Sequence, residues 1–267
     1  MQQAKTYRMI DAHTHIFPLK IAAKAADSIG NFYNIQMSHE GSVERLLESG
    51  SKIGVEKYLV CSTATRPEQV RSINDFVAAE VAAHPNFFGF GTLHPHFEDN
   101  LSEIERILSL GLKGIKFHPD FQTFDIDDPS MMKVYEALEG RLPILFHMGD
   151  DRYDYSAPGR LAKIAKRFPN LQLQAAHFGG YRRWQDAGEC KDCPNIFFDT
   201  SSSLFVLQPE EAAKMIREFG HERFLFATDF PMWDHSEELA RFMAIPLTEK
   251  EREDIFANNF DRIYLNR

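Results

Sequence analysis

The 267 residues include 30 basic and 39 acidic side chains, giving a formal net charge of −9, and 43% of the residues are hydrophobic. This composition is typical of a globular protein with a sizeable core and argues against a nucleic-acid surface built from clustered lysine and arginine. No apolar run approaches the roughly 20 residues needed to span a bilayer and no signal-peptide core is visible, so we predict a cytoplasmic protein without membrane or nucleic-acid partners.

The first predicted element is a strand that contains the run Asp-Ala-His-Thr-His over residues 11–15. Successive side chains of a strand point to opposite faces, so His13 and His15 share one face and can bind the same metal ion. Two histidines at this spacing also occur by chance, so the motif needs further ligands elsewhere in the chain. The connection 16–41 that follows is long, and we expect it to form a wall or lid over the site.

Helices and strands alternate along the rest of the chain. Apolar periodicity predicts helices over 42–53, 67–84, 101–110, 130–139, 158–168, 181–187, 209–219 and 236–243. Strands are predicted over 9–15, 57–62, 87–93, 114–118, 143–147, 171–177, 196–200 and 224–229. Eight such strands require parallel pairing and close into an α/β fold of the (β/α)8 TIM-barrel type, with a doubly wound open sheet as the alternative. We therefore predict a single domain over residues 1–267 with a helical tail over 248–265.

Three later strands end in residues that are able to bind a metal ion or to move a proton: His147, His177 and Asp229. In a closed barrel the carboxyl ends of all strands converge on one mouth, so these side chains would meet the histidine pair of the first strand. Each could instead be a hydrogen-bonded structural residue. One metal ion, however, explains four strand ends together, whereas the structural interpretations must all hold independently.

The motifs at these strand ends are spread in order over almost the whole chain. They are Asp11-Ala-His-Thr-His15, Gly114-Ile-Lys-Phe-His-Pro119, His147, Ala176-His-Phe-Gly-Gly180, Asp199-Thr-Ser201 and Thr228-Asp-Phe-Pro231. This arrangement resembles the amidohydrolase superfamily, and within it the amidohydrolase-2 branch that includes aminocarboxymuconate-semialdehyde decarboxylase. The resemblance is specific for the superfamily and much less specific for the reaction.

The resemblance implies a divalent metal ion, usually zinc, held by His13, His15, His147 and Asp229. It also implies that His177 is the catalytic acid or base, and Asp229 counts as catalytic as well as metal-binding. Imidazole and carboxylate groups suit zinc, and the ion can lower the pKa of a bound water to about 7. A histidine can shuttle the proton because its own pKa lies near the working pH.

Lys116 leaves the number of metal ions open. In the two-metal branches of the superfamily a carbamylated lysine on the fourth strand bridges both ions, and His177 binds the second. The pattern from Lys116 to His118 looks instead like the single-metal branch, in which both side chains face the substrate. We therefore predict one ion, with zinc favoured and another divalent metal as the alternative.

Arginine and aromatic residues are frequent in the loops at the predicted mouth. Four of them are predicted to contact the substrate: Arg152, Tyr153, Arg182 and Trp233. Arginine binds carboxylates through two parallel hydrogen bonds and aromatic rings supply flat apolar walls, so we expect a small planar or carboxylated substrate. The same residue types are common on ordinary surfaces, and that interpretation stays open.

The leading prediction is a metal-dependent hydrolase that uses a zinc-activated water on a small carboxylated substrate or a cyclic amide, ester or lactone, with His177 moving the proton. The alternative is a non-oxidative decarboxylase of an aromatic or muconate-like acid at the same metal site. The two reactions use identical ligands, so the sequence barely separates them. A barrel kept as a binding module is a third hypothesis, and a homodimer is a family-level expectation.

Cysteine usage excludes a disulfide framework, because the chain has three cysteines, Cys61, Cys190 and Cys193. The last two form a Cys-x-x-Cys pair, but no second pair is present to complete a tetrahedral zinc site. We predict that both are reduced thiols in a surface loop.

Overall fold

The computed structural model describes residues 6–266, so the predicted domain limits at residues 1 and 267 lie outside the described part of the chain. Its strands pair in parallel throughout. In chain order they are β1 (Met9–His15), β2 (Val55–Cys61), β3 (Phe87–Gly89), β4 (Gly91–Thr92), β5 (Ile115–Phe117), β6 (Ile144–Phe146), β7 (Leu173–Ala175), β8 (Ile196–Asp199) and β9 (Phe224–Leu225). They form two sheets, ordered β1-β2-β3 and β4-β5-β6-β7-β8-β9.

Two backbone seams join these sheets into a closed barrel. At the first seam Phe90 separates β3 from β4, and its N–H donates to the carbonyl of Val60 at 2.9 Å. At the second seam the N–H of Asp229, just beyond β9, donates to the carbonyl of His13 at 2.9 Å. β3 and β4 are therefore two halves of one barrel strand. The predicted (β/α)8 barrel is therefore confirmed. In the alternative fold, a doubly wound open sheet, the first and last strands would not be neighbours.

Helices cover the outside of the barrel. They are α1 (Leu19–Tyr33), α2 (Val43–Ser51), α3 (Val70–Ala83), α4 (Asn100–Ser109), α5 (Pro119–Gln122), α6 (Met132–Leu138), α7 (Pro158–Arg167), α8 (Pro209–Phe219), α9 (His235–Met243) and α10 (Glu249–Glu253). Short 3₁₀ turns occur at Pro67–Gln69, Pro129–Met131, His177–Gly179, Trp184–Cys190 and His221–Arg223, and π-helical turns at Asp254–Asn258 and Asp261–Leu265.

Local sequence rules explain where most of these helices begin. In α8, Pro209 lies in the first turn, where its missing N–H costs no helical hydrogen bond, and Ala212 and Ile216 form the buried face. In α2, the side chain of Ser42 accepts the N–H of Arg45 and so caps the helix. Both helices begin where the sequence predicts them.

The connection 16–41, for which the sequence predicted a wall or lid but no helix, contains the 15-residue helix α1. The buried residues of this helix are Ala22, Ala26 and Gly30, which repeat at helical spacing but are small. A stripe of small residues gives a weaker hydrophobic pattern than leucine or valine would. The helix was therefore not predicted from apolar periodicity. The helix ends at Asn34, whose φ of 52° lies in the left-handed region that asparagine tolerates.

The C-terminal tail covers the end of the barrel at which the strands begin. Phe260 and Tyr264 pack in one buried cluster with Ile10 of β1 and Phe88 of β3. The hydroxyl of Tyr264 donates to the side-chain carbonyl of Gln174 at 2.6 Å inside the barrel. The predicted tail is therefore a plug, and the mouth at the carboxyl ends of the strands stays open.

The two cysteines of the Cys-x-x-Cys pair are free thiols, but both are buried, so their predicted place on the surface is wrong. The Sγ of Cys190 donates to the carbonyl of Pro158 at 3.4 Å, which packs the turn Trp184–Cys190 against α7. Along residues 6–266, no helix combines the length and the apolar character needed to cross a lipid bilayer.

Candidate metal centre and active site

Three of the four predicted metal ligands converge at the barrel mouth. The Nε2 atoms of His13 and His15 lie 3.2 Å apart. The Oδ1 atom of Asp229 lies 3.6 Å from the first of these nitrogens and 3.3 Å from the second. Atoms that share a tetrahedral zinc at about 2.0–2.1 Å are separated by about 3.4 Å. The trio of His13, His15 and Asp229 therefore fits a divalent cation in both spacing and donor type.

A buried carboxylate orients the first of these histidines. Asp199 Oδ2 lies 3.2 Å from His13 Nδ1, and the same oxygen accepts the Gln174 amide at 2.8 Å. Burial, and then the charge of Lys116, lowers the pKa of His13 to about 4, so its ring is neutral at pH 7. With the Nδ1 proton donated to Asp199, the lone pair on Nε2 faces the rest of the trio, the arrangement that metal-binding histidines commonly use.

The carboxylate of Asp229 is ionised. Burial alone would raise its pKa, but His13 and His15 beside it hold that pKa well below its usual range. The hydroxyl of Ser202 donates to the second oxygen, Oδ2, at 2.5 Å. One oxygen is therefore fixed by the protein while the other faces the two histidines.

Asp229 and His177 share an unusual backbone conformation, with φ values of 60° and 61°. Residues other than glycine rarely adopt this left-handed region, and such strain persists where the surroundings fix it, commonly at functional sites. For Asp229, the backbone bond to His13 supplies this support. For His177, its backbone N–H donates to Asp199 Oδ1 at 3.0 Å.

The fourth predicted ligand, His147, is held by other contacts. Its Nδ1 lies 2.9 Å from His177 Nε2, and its Nε2 lies 3.3 Å from the hydroxyl of Tyr33. Among the described residues, no hydrogen bond or ion pair joins His147 to the trio. Its role as a ligand therefore stays a prediction. His177 turns its Nδ1 toward the hydroxyl of Ser201 at 2.9 Å, while its Nε2 faces His147.

The two predicted substrate-facing residues of the fourth barrel strand lie where strand parity placed them. Lys116 is buried with its Nζ 2.9 Å from His13 Nε2, and burial lowers its pKa. The Nδ1 of His118 accepts the N–H of Phe121 and caps α5. This fixes a proton on Nε2, which lies 2.8 Å from the hydroxyl of Tyr33. Both side chains line the same cavity as the trio.

The predicted loop residues divide into two groups. Tyr153 lines the cavity, whereas Arg152, Arg182 and Trp233 are not among the residues that line it. Arg182 Nε donates to the hydroxyl of the neighbouring residue 181 at 3.3 Å, and Trp233 Nε1 donates to Ser202 Oγ at 3.0 Å. Contact of these four residues with a substrate stays a prediction.

Arg152 connects the loop after β6 to α1. Its Nε and Nη2 donate to the buried carboxylate of Asp150 at 2.8 and 2.6 Å, and its Nη1 donates to the carbonyl of Phe32 at 2.6 Å. The guanidinium also lies 4.3 Å from the centre of the Phe32 ring. These contacts fix the C-terminal end of α1, where Tyr33 reaches His118 and His147.

We expect Arg152→Met to loosen that end of α1. The lost charge-assisted bond to Phe32 contributes about 1.5–3 kcal/mol, so amide hydrogen exchange over 30–36 should become about 10- to 100-fold faster. Mass spectrometry of exchanging peptides measures this directly. Arg182→Met is the matched control, because Arg182 is a loop arginine at the same mouth that bonds a side chain of its own loop. Equal exchange in wild type and Arg152→Met would contradict the assigned contact.

Sequence reasoning missed three residues of the site. Tyr33 was predicted only as part of the long connection, and its hydrogen bonds depend on how α1 folds over the mouth. Cys61 ends β2 with its Sγ 3.7 Å from His15 Nδ1. Asp120 is buried, accepts the hydroxyl of Ser156 at 2.6 Å and has a pKa that burial raises to about 6. Its position directly after the Lys-x-His-Pro run was the available signal.

The fold and these side chains define a class of protein: an α/β barrel with a histidine and carboxylate cluster at the carboxyl ends of its strands. A family model described as amidohydrolase matches residues 10–265. The chain belongs to this amidohydrolase family of enzymes, which confirms the resemblance seen in the sequence.

Three similar proteins carry further information. A 2-amino-3-carboxymuconate-6-semialdehyde decarboxylase of Dictyostelium discoideum is 30% identical over 132 residues, which span 40% of this chain and 37% of that protein. An uncharacterised TIM-barrel protein of Bordetella bronchiseptica has a TM-score of 0.78 at 19% identity, covering 96% of this chain and 98% of that one. A dihydroxybenzoic acid decarboxylase of Polaromonas sp. JS666, with bound manganese and the inhibitor 2-nitroresorcinol, has a TM-score of 0.76 at 17% identity, covering 98% of both chains.

These relatives correct the predicted reaction. The two whose reactions are named are decarboxylases, so the leading prediction of a hydrolase is wrong. Their names support the alternative stated beside it, a decarboxylase. The physical reason for the error is that both reactions use the same histidine and aspartate ligands, and the choice between them depends on the substrate.

Proposed function

We propose that the protein is a metal-dependent non-oxidative decarboxylase that acts on a small aromatic or muconate-like acid. The observation that carries the proposal is the trio of His13, His15 and Asp229, whose donor atoms lie 3.2–3.6 Å apart beside His177 at the barrel mouth. The reactions named for the relatives from Dictyostelium and Polaromonas support it.

The cofactor in this proposal is one divalent ion, zinc or manganese. His13, His15 and Asp229 would hold it, with His147 as the fourth ligand, and the manganese of the Polaromonas relative supports the choice of a divalent ion. When bound, such an ion supplies positive charge that holds the substrate's oxygen atoms and stabilises the negative charge that develops on them.

His177 delivers the proton in the proposed reaction. Its Nδ1 is fixed by Ser201, so its Nε2 is the atom that can transfer a proton. Burial lowers its pKa, and an anionic substrate beside it would favour the protonated ring. The proton goes to the ring or alkene carbon that carries the carboxylate. The bond from that carbon to the carboxylate then breaks, its electron pair restores the double bond, and carbon dioxide leaves.

Lys116 and His118 orient the substrate in this proposal. The Nζ of Lys116 lies beside the trio, and both Lys116 and His118 line the cavity. Both are nitrogen donors that suit a carboxylate or phenolate oxygen. Held between them, the acid presents its carboxylate-bearing carbon to His177.

Carbon dioxide release from the metal-loaded protein tests the proposal. Dihydroxybenzoates, carboxylated phenols and 2-amino-3-carboxymuconate semialdehyde are incubated with protein loaded with manganese or zinc. We expect release from at least one acid, with one solvent deuterium on the carbon that lost the carboxylate when the reaction runs in D2O. Absence of release from every acid, while the protein binds its metal, would contradict the proposal.

A further inference from the structure

The cavity that contains the trio continues well beyond it. Its volume is about 1170 Å³, and its lining runs from His13 and Asp229 to residues of α1 and α3. Pockets for drug-sized ligands measure about 300–1,000 Å³, and a single-ring acid is smaller than such a ligand. A one-ring substrate placed at the trio would therefore leave much of the cavity unfilled.

Two helices contribute apolar residues to the cavity lining. They are Ile21, Ala25 and Ile29 of α1, and Ile73 and Phe76 of α3. We call these five residues the apolar arm. The three from α1 are spaced four residues apart, so they form one stripe of that helix. Ile21 is 44% exposed and the other four are half-buried, so a bound molecule would remove apolar surface from water.

The surroundings of the apolar arm are polar. Lys20, Ser28 and Ser72 also line the cavity, and all three are exposed. An apolar interior with a polar rim is typical of a binding site for an organic molecule. A protein partner would instead need about 800 Å² of surface on each side, which is a broad face and not the wall of a cleft.

We propose that the apolar arm binds an apolar extension of the substrate, an alkyl chain or a second ring carried by the acid. This inference rests on the proposed function for the reacting end, since it places the carboxylate at the trio. The arm and the trio line one continuous cavity, so a single molecule can occupy both. The substrate class is therefore an amphipathic acid, larger than a simple hydroxybenzoate.

Binding of a graded ligand series tests the apolar arm without requiring turnover. The probes are 3- and 4-n-alkylbenzoates from methyl to hexyl, titrated calorimetrically into the full-length manganese-loaded protein. Burying a methylene in a partly open site should improve the Kd about two- to fourfold, so the hexyl compounds should bind tightest. A Kd independent of chain length, or no binding of any probe, would overturn the inference.

Two variants and one matched control locate the effect. Ile21→Ser should reduce the gain per methylene, and Ala25→Phe should fill the arm and weaken the hexyl probe while sparing the methyl one. Leu19→Ser is the control, because Leu19 lies on the same helix, is 70% exposed and does not line the cavity. Equal effects of Ile21→Ser and Leu19→Ser would contradict the assignment.

The possible outcomes also distinguish this inference from the proposed function, and from binding of a second copy of the chain at the apolar arm. Chain-length-dependent binding without any carbon dioxide release supports the arm and contradicts only the decarboxylase. Release of carbon dioxide with a flat Kd series contradicts only the arm. If Ile21→Ser changes the sedimentation coefficient of the protein and leaves the series unchanged, a second copy of the chain occupies the arm and the inference is wrong.

Discussion

Asp229→Asn is expected to strip the divalent ion from the protein and to lower decarboxylation by about 1,000-fold or more. Asp229 is the anionic member of the trio, and it stays ionised because His13 and His15 hold its pKa well below its usual range. A neutral amide at this position loses that charge. A metal centre contributes several kcal/mol of transition-state stabilisation, and about 4 kcal/mol corresponds to that loss of rate.

Metal content by mass spectrometry and carbon dioxide release together measure this effect. Asp234→Asn is the matched control, because Asp234 lies five residues further along the same loop and caps α9 without lining the cavity. It should keep the ion at the wild-type ratio, because asparagine also caps a helix and the lost charge affects only the contacts of Asp234 with His39 and Lys52. If Asp229→Asn retained the ion at the wild-type ratio, Asp229 would not be a ligand of the ion.

Periodic and local rules account for the part of this site that the sequence predicts. Strand parity places His13 and His15 on one face, and closure of a parallel barrel brings Asp229 beside them. Both rules depend on backbone geometry that every strand shares. The trio could therefore be predicted without knowing any tertiary contact.

Other contacts at the mouth depend on how the helices pack and could not be predicted from the sequence. Arginine is a residue type that commonly binds carboxylate substrates. The side chain of Arg152, however, donates its hydrogen bonds to Asp150 and to the carbonyl of Phe32. The second partner becomes available only because α1 folds over the mouth, and the small residues of that helix concealed it. Tyr33 enters the site through the same helix, so the one helix that periodicity did not predict explains the contacts of both residues.

The apolar arm depends on the same helix. Ile21 and Ile29 are unremarkable in the sequence, since isolated apolar residues on a helix surface are common. The structure shows that α1 and α3 border one cavity that also contains the trio, and that Ile21 and Ile29 line this cavity. The reacting end of the substrate is therefore predictable from motifs, whereas its remote end is specified by how two helices pack beside the mouth.

His177→Asn is expected to lower kcat about 10²- to 10⁴-fold while the divalent ion stays bound. The imidazole Nε2 is the proposed proton donor, and the amide of asparagine cannot transfer a proton at neutral pH. The KM should change little, because Lys116 and His118 hold the substrate in the proposal. Steady-state kinetics and metal content, measured on one preparation, test both statements.

The control for this variant is His221→Asn, since His221 lies on the outside of the barrel, where its Nε2 is 3.1 Å from Asp254. It should retain full activity and metal. If His177→Asn lost an ion together with activity, His177 would be a metal ligand, as in the two-metal arrangement with a carbamylated Lys116. Retained metal with lost proton transfer is the result that the geometry favours, because His177 Nε2 faces His147 at 2.9 Å while His13, His15 and Asp229 converge without it.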